Sequence, residues 1–436
     1  MKRQGSGFSI RRSAGALALG FALAVAAPLS AQTIAIEGGT VYPMIGGKIE
    51  GGTVLIRDGK IVAVGKNVAV PAGARRVNAT GKIVTPGLFE SSTHIGLSEV
   101  GSVPGTNDYR NRADDQVSAA FNVAEGINPR SIVIPVTRIA GVTTAVTAPA
   151  GGLVAGQGVV IDLVGDDVSQ MVAQSPVGMF VTLGEGSQGA AGGTRAGEMM
   201  RLRELLDDAR VYARNRAAYE RGATRSYAAS RLDLEALQPV LAGRVPLVVE
   251  AHRASDIRAA LRLAEEYRLK LVLLGATEGW MVANEIANAR VPVVLTVLQN
   301  LPSDFEHIGA RYDNAALLRQ AGVQVAITTN TTHNARNITQ EAGNAVAYGL
   351  PYEEALRAIT LYPANIWAVA DRYGSLEPGK VANVVVWGGD PLELLTPVEH
   401  VFIRGKEVPL VSRQTELRDR YLKPTAEDRG YPSAGR

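Results

Sequence analysis

The chain contains no cysteine. That excludes a disulfide framework, a thiolate metal site and a thiol nucleophile. Long apolar runs are also missing. The run from Ala14 to Ala27 is about 14 residues, short of the roughly 20 that a bilayer-spanning helix needs. No lysine occurs between Lys82 and Lys270, and no Gly-x-Gly-x-x-Gly follows a first strand. The second absence removes the commonest reason to read an open dinucleotide-binding sheet. There is little net charge: 45 Lys and Arg stand against 42 Asp and Glu. The first 31 residues hold four of the basic residues and no acidic one, so residues 32–436 carry 41 against 42. No broad basic field is left for nucleic acid.

The beginning of the chain reads as an address. Lys2, Arg3, Arg11 and Arg12 precede the apolar run, and Pro28-Leu29-Ser30-Ala31 follows it. This is the pattern of a secretory signal peptide over residues 1–31, cleaved near Ala31. The expectation is a secreted protein of the bacterial periplasm with no stable membrane insertion after cleavage. An uncleaved anchor is the alternative, and the Arg11-Arg12 pair leaves the Sec and twin-arginine routes both open.

Residues 32–85 read as β structure. Thr53–Arg57 and Lys60–Val64 flank Asp58-Gly59, a strong hairpin signal. Beyond Pro86 strands and helices alternate. Val142–Ala148 and Val159–Leu163 are short apolar runs flanked by glycine. Val245–Val249, Leu269–Leu274, Val291–Val297 and Val323–Thr328 then recur with helical patterns between them. Ser255 is placed to cap a helix whose Ile257, Leu261, Ala264 and Tyr267 share a face. This rhythm predicts parallel βα units, and both a closed barrel and an open sheet satisfy it. Gly184–Gly197 reads as a mobile loop over a barrel mouth, Met199–Tyr219 as a charged helix, and Arg413 onward as a partly disordered tail.

Several stretches, taken in order, resemble the amidohydrolase superfamily. Pro86-Gly87-Leu88-Phe89-Glu90-Ser91-Ser92-Thr93-His94 resembles its opening metal motif, with Ser92 where the first histidine of His-x-His is expected. Gly141-Val142-Thr143-Thr144 resembles the second strand, and Gly156-Gln157-Gly158-Val159-Val160 a glycine-rich stretch after it. Ala251-His252-Arg253-Ala254-Ser255 is similar to the fifth-strand segment of imidazolonepropionase-like and prolidase-like members. Gly374–Asn383 resembles the return to the small β domain, with Asn383 where the family has aspartate. The resemblance implies an α/β fold, a (β/α)8 TIM-type barrel over residues 86–373. It also implies a small β-sandwich built from residues 32–85 and 374–412, with a tail over 413–436.

The family hydrolyses carbon–nitrogen bonds with a metal-bound hydroxide, held by imidazoles and carboxylates at strand ends. Carried over residue by residue, the resemblance puts Ser92 and His94 on strand 1, and Glu250 with His252 on strand 5. It puts Gly275 at the strand 6 histidine and Asn330 at the strand 8 aspartate, which serves as proton acceptor. The bridging carbamylated lysine of strand 4 has no counterpart. The remaining metal candidates are His94, Glu250 and His252, for one zinc-like divalent ion or for none. Asn330 is the catalytic-position residue. Arg195 and His333 are the substrate-binding candidates, Arg195 because a guanidinium can clamp a carboxylate. His307, His400, Asp108, Asp114 and Asp115 read as structural or solvated.

Three functions stay open. One is weak hydrolysis of non-peptide or dipeptide-like amide bonds. Another is an inactive pseudoenzyme that forms a homo-oligomer or pairs with an active relative. The third is a periplasmic protein that holds a small amide or peptide-like ligand without cutting it.

Overall fold

The computed structural model describes residues 33–112, 116–298, 302 and 304–422. The expected signal peptide, Asp114, Asp115 and the end of the tail lie outside the described residues. No helix among the described residues is long and apolar enough to cross a membrane.

Five strands open the described residues: β1 (Ile34–Val41), β2 (Ile49–Arg57), β3 (Lys60–Gly65), β4 (Arg75–Asn78) and β5 (Ile83–Pro86). The Asp58-Gly59 hairpin forms as expected between β2 and β3. Eight more make the barrel sheet: β6 (Leu88–Thr93), β7 (Val142–Thr147), β8 (Val154–Asp162), β9 (Val172–Thr182), β10 (Leu247–Ala251), β11 (Leu271–Gly275), β12 (Val293–Leu295) and β13 (Val325–Ile327). The last three, β14 (Val384–Trp387), β15 (Val398–Ile403) and β16 (Lys406–Glu407), return to the first sheet. That sheet runs β16-β15-β14-β5-β1-β2-β3, with β4 also on β1. Its Ile34, Val54, Ile61, Val384 and Phe402 belong to one buried cluster, which is the core of the small β domain.

The barrel sheet follows chain order from β6 to β13 and is nearly closed. One strand departs from the parallel expectation: β8 runs antiparallel to both β7 and β9. The reason is connection length. Residues 148–153 and 163–171 are too few for a crossover, which needs roughly a dozen or more residues, so the chain turns back as hairpins. Inside the barrel, Phe89, Val160, Phe180, Val248, Val272 and Val294 form a buried cluster with Trp367. Trp367 follows the helix Leu361–Ile366.

Two local expectations change. The helix Ala254–Tyr267 forms, but Arg253 is its N-cap and Ser255 lies in its first turn. Glu278 Oε2 accepts the Ala254 N–H at 2.9 Å, so a distant carboxylate does the capping. The expected tail begins as a helix, Arg413–Leu422, none of whose residues is buried.

The two sheets meet through polar groups. Asp162, fully buried at the end of β8, accepts from Arg404 Nε at 2.6 Å, Tyr373 Oη at 3.0 Å and Asn383 Nδ2 at 2.9 Å. Gly87 packs β6 against β7: a Cβ there would lie 2.1 Å from Thr143 Oγ1.

Candidate functional site

Side chains alternate along a strand, so Val248 in the barrel interior places Glu250 and His252 on the same side. The backbone continues that alternation one residue past β10, and His252 Nε2 lies 3.8 Å from Glu250 Oε1. At the same end, a cavity of about 100 Å³ is lined by Ser92, His94, Thr182, Glu250, Asn330 and apolar neighbours including Phe180 and Leu274. The sequence-predicted His94, Glu250 and Asn330 are therefore brought to one cavity.

The changed positions satisfy one another. Ser92 Oγ donates to Asn330 Oδ1 at 2.9 Å, across the ends of the first and last barrel strands. Asn330 holds a left-handed backbone (φ 47°), which asparagine tolerates better than most residues. His94 Nδ1 sits 2.8 Å from the Ala148 carbonyl and donates to it, which fixes the tautomer and leaves the lone pair on Nε2. Its ring stacks on Tyr109 with centroids 4.0 Å apart. Burial holds His94 below its ordinary pKa, against the opposing pull of the Ala148 carbonyl and the Glu250 charge. The ring is neutral at neutral pH.

Glu250 is 31% exposed, facing the cavity. Burial pushes its carboxyl up, but His252, Thr182 and His94 together bring it below the ordinary value. Thr182 Oγ1 donates to it at 3.3 Å. His252 Nδ1 meets Thr277 Oγ1 at 2.8 Å, and its ring lies 4.2 Å from that of His307. His252 also explains Gly275. A Cβ at 275 would lie 2.5 Å from His252 Cε1, on a backbone with φ +86°. The imidazole fills the room that a strand 6 side chain would take.

A family metal centre does not fit these residues. Ser92 and Asn330 are bonded to each other, position 275 has no side chain, and His252 is turned onto Thr277. Among the described residues, no three His, Asp or Glu side chains are grouped to hold an ion.

The structure also adds a carboxylate that sequence reasoning passed over. Glu90 is fully buried between Phe89 and Ser91. It accepts from Ser91 N at 3.0 Å, from Thr329 N at 3.2 Å, from Thr329 Oγ1 at 3.1 Å and from Thr328 Oγ1. Those bonds join β6 to the residues after β13, where no strand ladder closes the sheet. Burial pushes the Glu90 carboxyl up to about 7, against these hydrogen bonds. A lone ionisable side chain within a strand segment, directly after Leu88-Phe89, was the available signal.

Arg195 does not face the cavity as a substrate clamp. Its Nε donates to Asp256 Oδ2 at 2.8 Å and its Nη2 to Glu306, both buried carboxylates. The glycine-rich segment expected to be mobile is tied down nearby: Glu198 accepts from Gly184 N at 3.0 Å and from Ser187 Oγ at 2.7 Å. His333 is likewise outside the cavity, its Nε2 on the Glu99 carbonyl at 2.9 Å. His307 pairs with Asp304, and His400, in β15, with Glu407. Asp108 is exposed.

Comparison with known proteins agrees with this architecture. The family model described as the amidohydrolase family matches residues 251–408. The solved structure of an amidohydrolase from Thermotoga maritima is 31% identical, covering 87% of this chain and 100% of its own, with a TM-score of 0.80. The chain belongs to the amidohydrolase family. The fold is shared with a prolidase at 17% identity and a TM-score of 0.53. Among curated proteins, the imidazolonepropionase of Mesorhizobium japonicum is 24% identical over 82% of this chain and 90% of its own. The amidohydrolase tasK of Hapsidospora irregularis is 25% identical over 81% of this chain. This chain spans only 39% of that protein's length.

Proposed function

We propose that this family member keeps the hydrolase barrel and a small polar cavity, while hydrolysis of dipeptide-like or other amide bonds is weak or absent. The Ser92–Asn330 hydrogen bond carries the reading. The family reaction needs an imidazole at one of these positions and a carboxylate base at the other. A hydroxyl bonded to an amide oxygen supplies neither, because an amide takes no proton near neutral pH. The environment is the periplasm, in keeping with the expected signal peptide.

The test is metal content by mass spectrometry on protein purified without chelator and then reloaded with zinc, manganese or cobalt. Dipeptides and N-acyl amino acids are screened in parallel. Expected is well under one tightly held ion per chain, with no metal-dependent turnover. One ion per chain together with metal-dependent hydrolysis would overturn the reading. A second reading, raised by the sequence, is an inactive barrel that pairs with a complete relative. Co-purification from the native source with an intact amidohydrolase would support it.

A further inference from the structure

The cavity has a definite electrostatic character. Glu250, 31% exposed, presents its carboxyl group to it. His94 donates its Nδ1 proton to the Ala148 carbonyl, which leaves its Nε2 lone pair as an acceptor. Ser92 donates its proton to Asn330 and keeps its oxygen as a further acceptor. Phe180 adds an aromatic wall. Among the described residues, neither lysine nor arginine lines it. Arg195, the guanidinium expected to meet a carboxylate, is held by Asp256 and Glu306. Arg110 lies over Gly151, next to the cavity's Ala150, and has a partner of its own. Behind Glu250, His252 is the neighbouring titratable group, at 3.8 Å.

An acceptor-rich, carboxylate-bearing, cation-free cavity disfavours an anion and suits a compact N–H-bearing cation. Size narrows the choice. Sites for drug-sized ligands run to roughly 300–1,000 Å³, and this cavity is about 100 Å³. It takes a head group of a few heavy atoms, with the rest of the molecule outside the mouth.

We propose that the barrel mouth binds the ammonium or guanidinium head of a small molecule, seated on Glu250 with His94 and Ser92 as further acceptors. This deepens the reading above and rests on it, since a metal ion on the same residues would reverse the local charge.

The experiment is calorimetric titration of chelator-treated full-length protein with methylammonium and methylguanidinium, against tetramethylammonium and acetate. Expected is millimolar binding of the two N–H cations, weaker binding of tetramethylammonium and none of acetate. Glu250→Gln should weaken the N–H cations at least tenfold. Glu250→Asp, which keeps the charge, should recover part of the loss. His333→Ala, outside the cavity, should bind as the wild type does. Acetate binding, equal affinity in Glu250→Gln, or no cation binding by metal-free wild type would overturn the proposal while leaving the weak-hydrolase reading intact. Cation binding that requires reloaded metal would overturn both.

Discussion

Two asparagines stand where the family pattern has aspartate, and their surroundings could hardly differ more. Asn383 is buried between the two sheets, and its amide is fully engaged. Its Nδ2 donates to Asp162 and Thr144, and its Oδ1 accepts the Arg404 N–H. Asn330 is exposed at the barrel mouth, and among the described residues its side chain shares one hydrogen bond, with Ser92. At 383 the amide is required, because its partner Asp162 is already a carboxylate. At 330 the amide oxygen meets the Ser92 hydroxyl, at the position where the resemblance expects a histidine. Asn383 helps keep the fold together, while Asn330, on the proposed reading, stands in place of a proton acceptor and costs the fold little.

The sharpest way to break the comparison is to restore aspartate at both places. Asn383→Asp sets two buried carboxylates against each other and removes two donated bonds. A loss of about 3 kcal/mol is expected, read by chemical denaturation. A stability change below about 1 kcal/mol would mean that Arg404 and Thr144 rearrange to absorb the charge.

Glu90 gives the next largest effect, and it concerns the seam beneath Asn330. Its folded-state pKa is raised to about 7 by burial, above the ordinary 4.5. The folded protein therefore holds an extra proton between these values, and Glu90's stabilisation falls as pH rises through that window. Glu90→Gln has no such titration, and its NH2 would face donors from Ser91 and Thr329. At pH 5 the variant should be less stable by about 2 kcal/mol. The gap should narrow as pH rises to 8, and a gap that widens would reverse the sign assigned to Glu90.

How much of this was legible depends on the range of the interaction. The Asp58-Gly59 hairpin and the run from β10 to β13 are written in local apolar patterns, and they stand within a few residues of the expectation. The direction of β8 was written in loop length, a signal weaker than its apolar sequence. The roles of Arg195 and Ser255 were not local at all. Arg195 is held by carboxylates 61 and 111 residues away, and the cap expected of Ser255 comes from Glu278. At the site, His94, Glu250 and Asn330 could be placed because each follows a recognisable strand. That His252 would fill the space at Gly275 could not, because it depends on a side-chain rotation after β10 ends.

That packing supplies the third prediction. Gly275→Ala combines a left-handed backbone with a Cβ 2.5 Å from His252 Cε1. The cost should be about 1–2 kcal/mol. The imidazole should also leave Thr277, seen as a changed His252 ring signal by NMR. An unchanged ring signal would show that position 275, not His252, gives way.

The smallest stability effect is expected at the other asparagine. Asn330→Asp adds a carboxylate to an exposed position, where a substitution shifts stability by about 0.5 kcal/mol or less. Its interest lies in ligand affinity, because the cavity would then carry two carboxylates and no lining cation. Methylguanidinium should bind more tightly than to the wild type, with stability nearly unchanged. Hydrolysis should not return, since Ser92 still stands where an imidazole is needed and Gly275 still carries no side chain. If turnover did appear with this single change, the proton acceptor alone would have been missing. The mouth would then differ from the interface around Asn383 by one reversible replacement, and the Ser92–Asn330 bond would be a consequence of that loss instead of a sign of a rebuilt site.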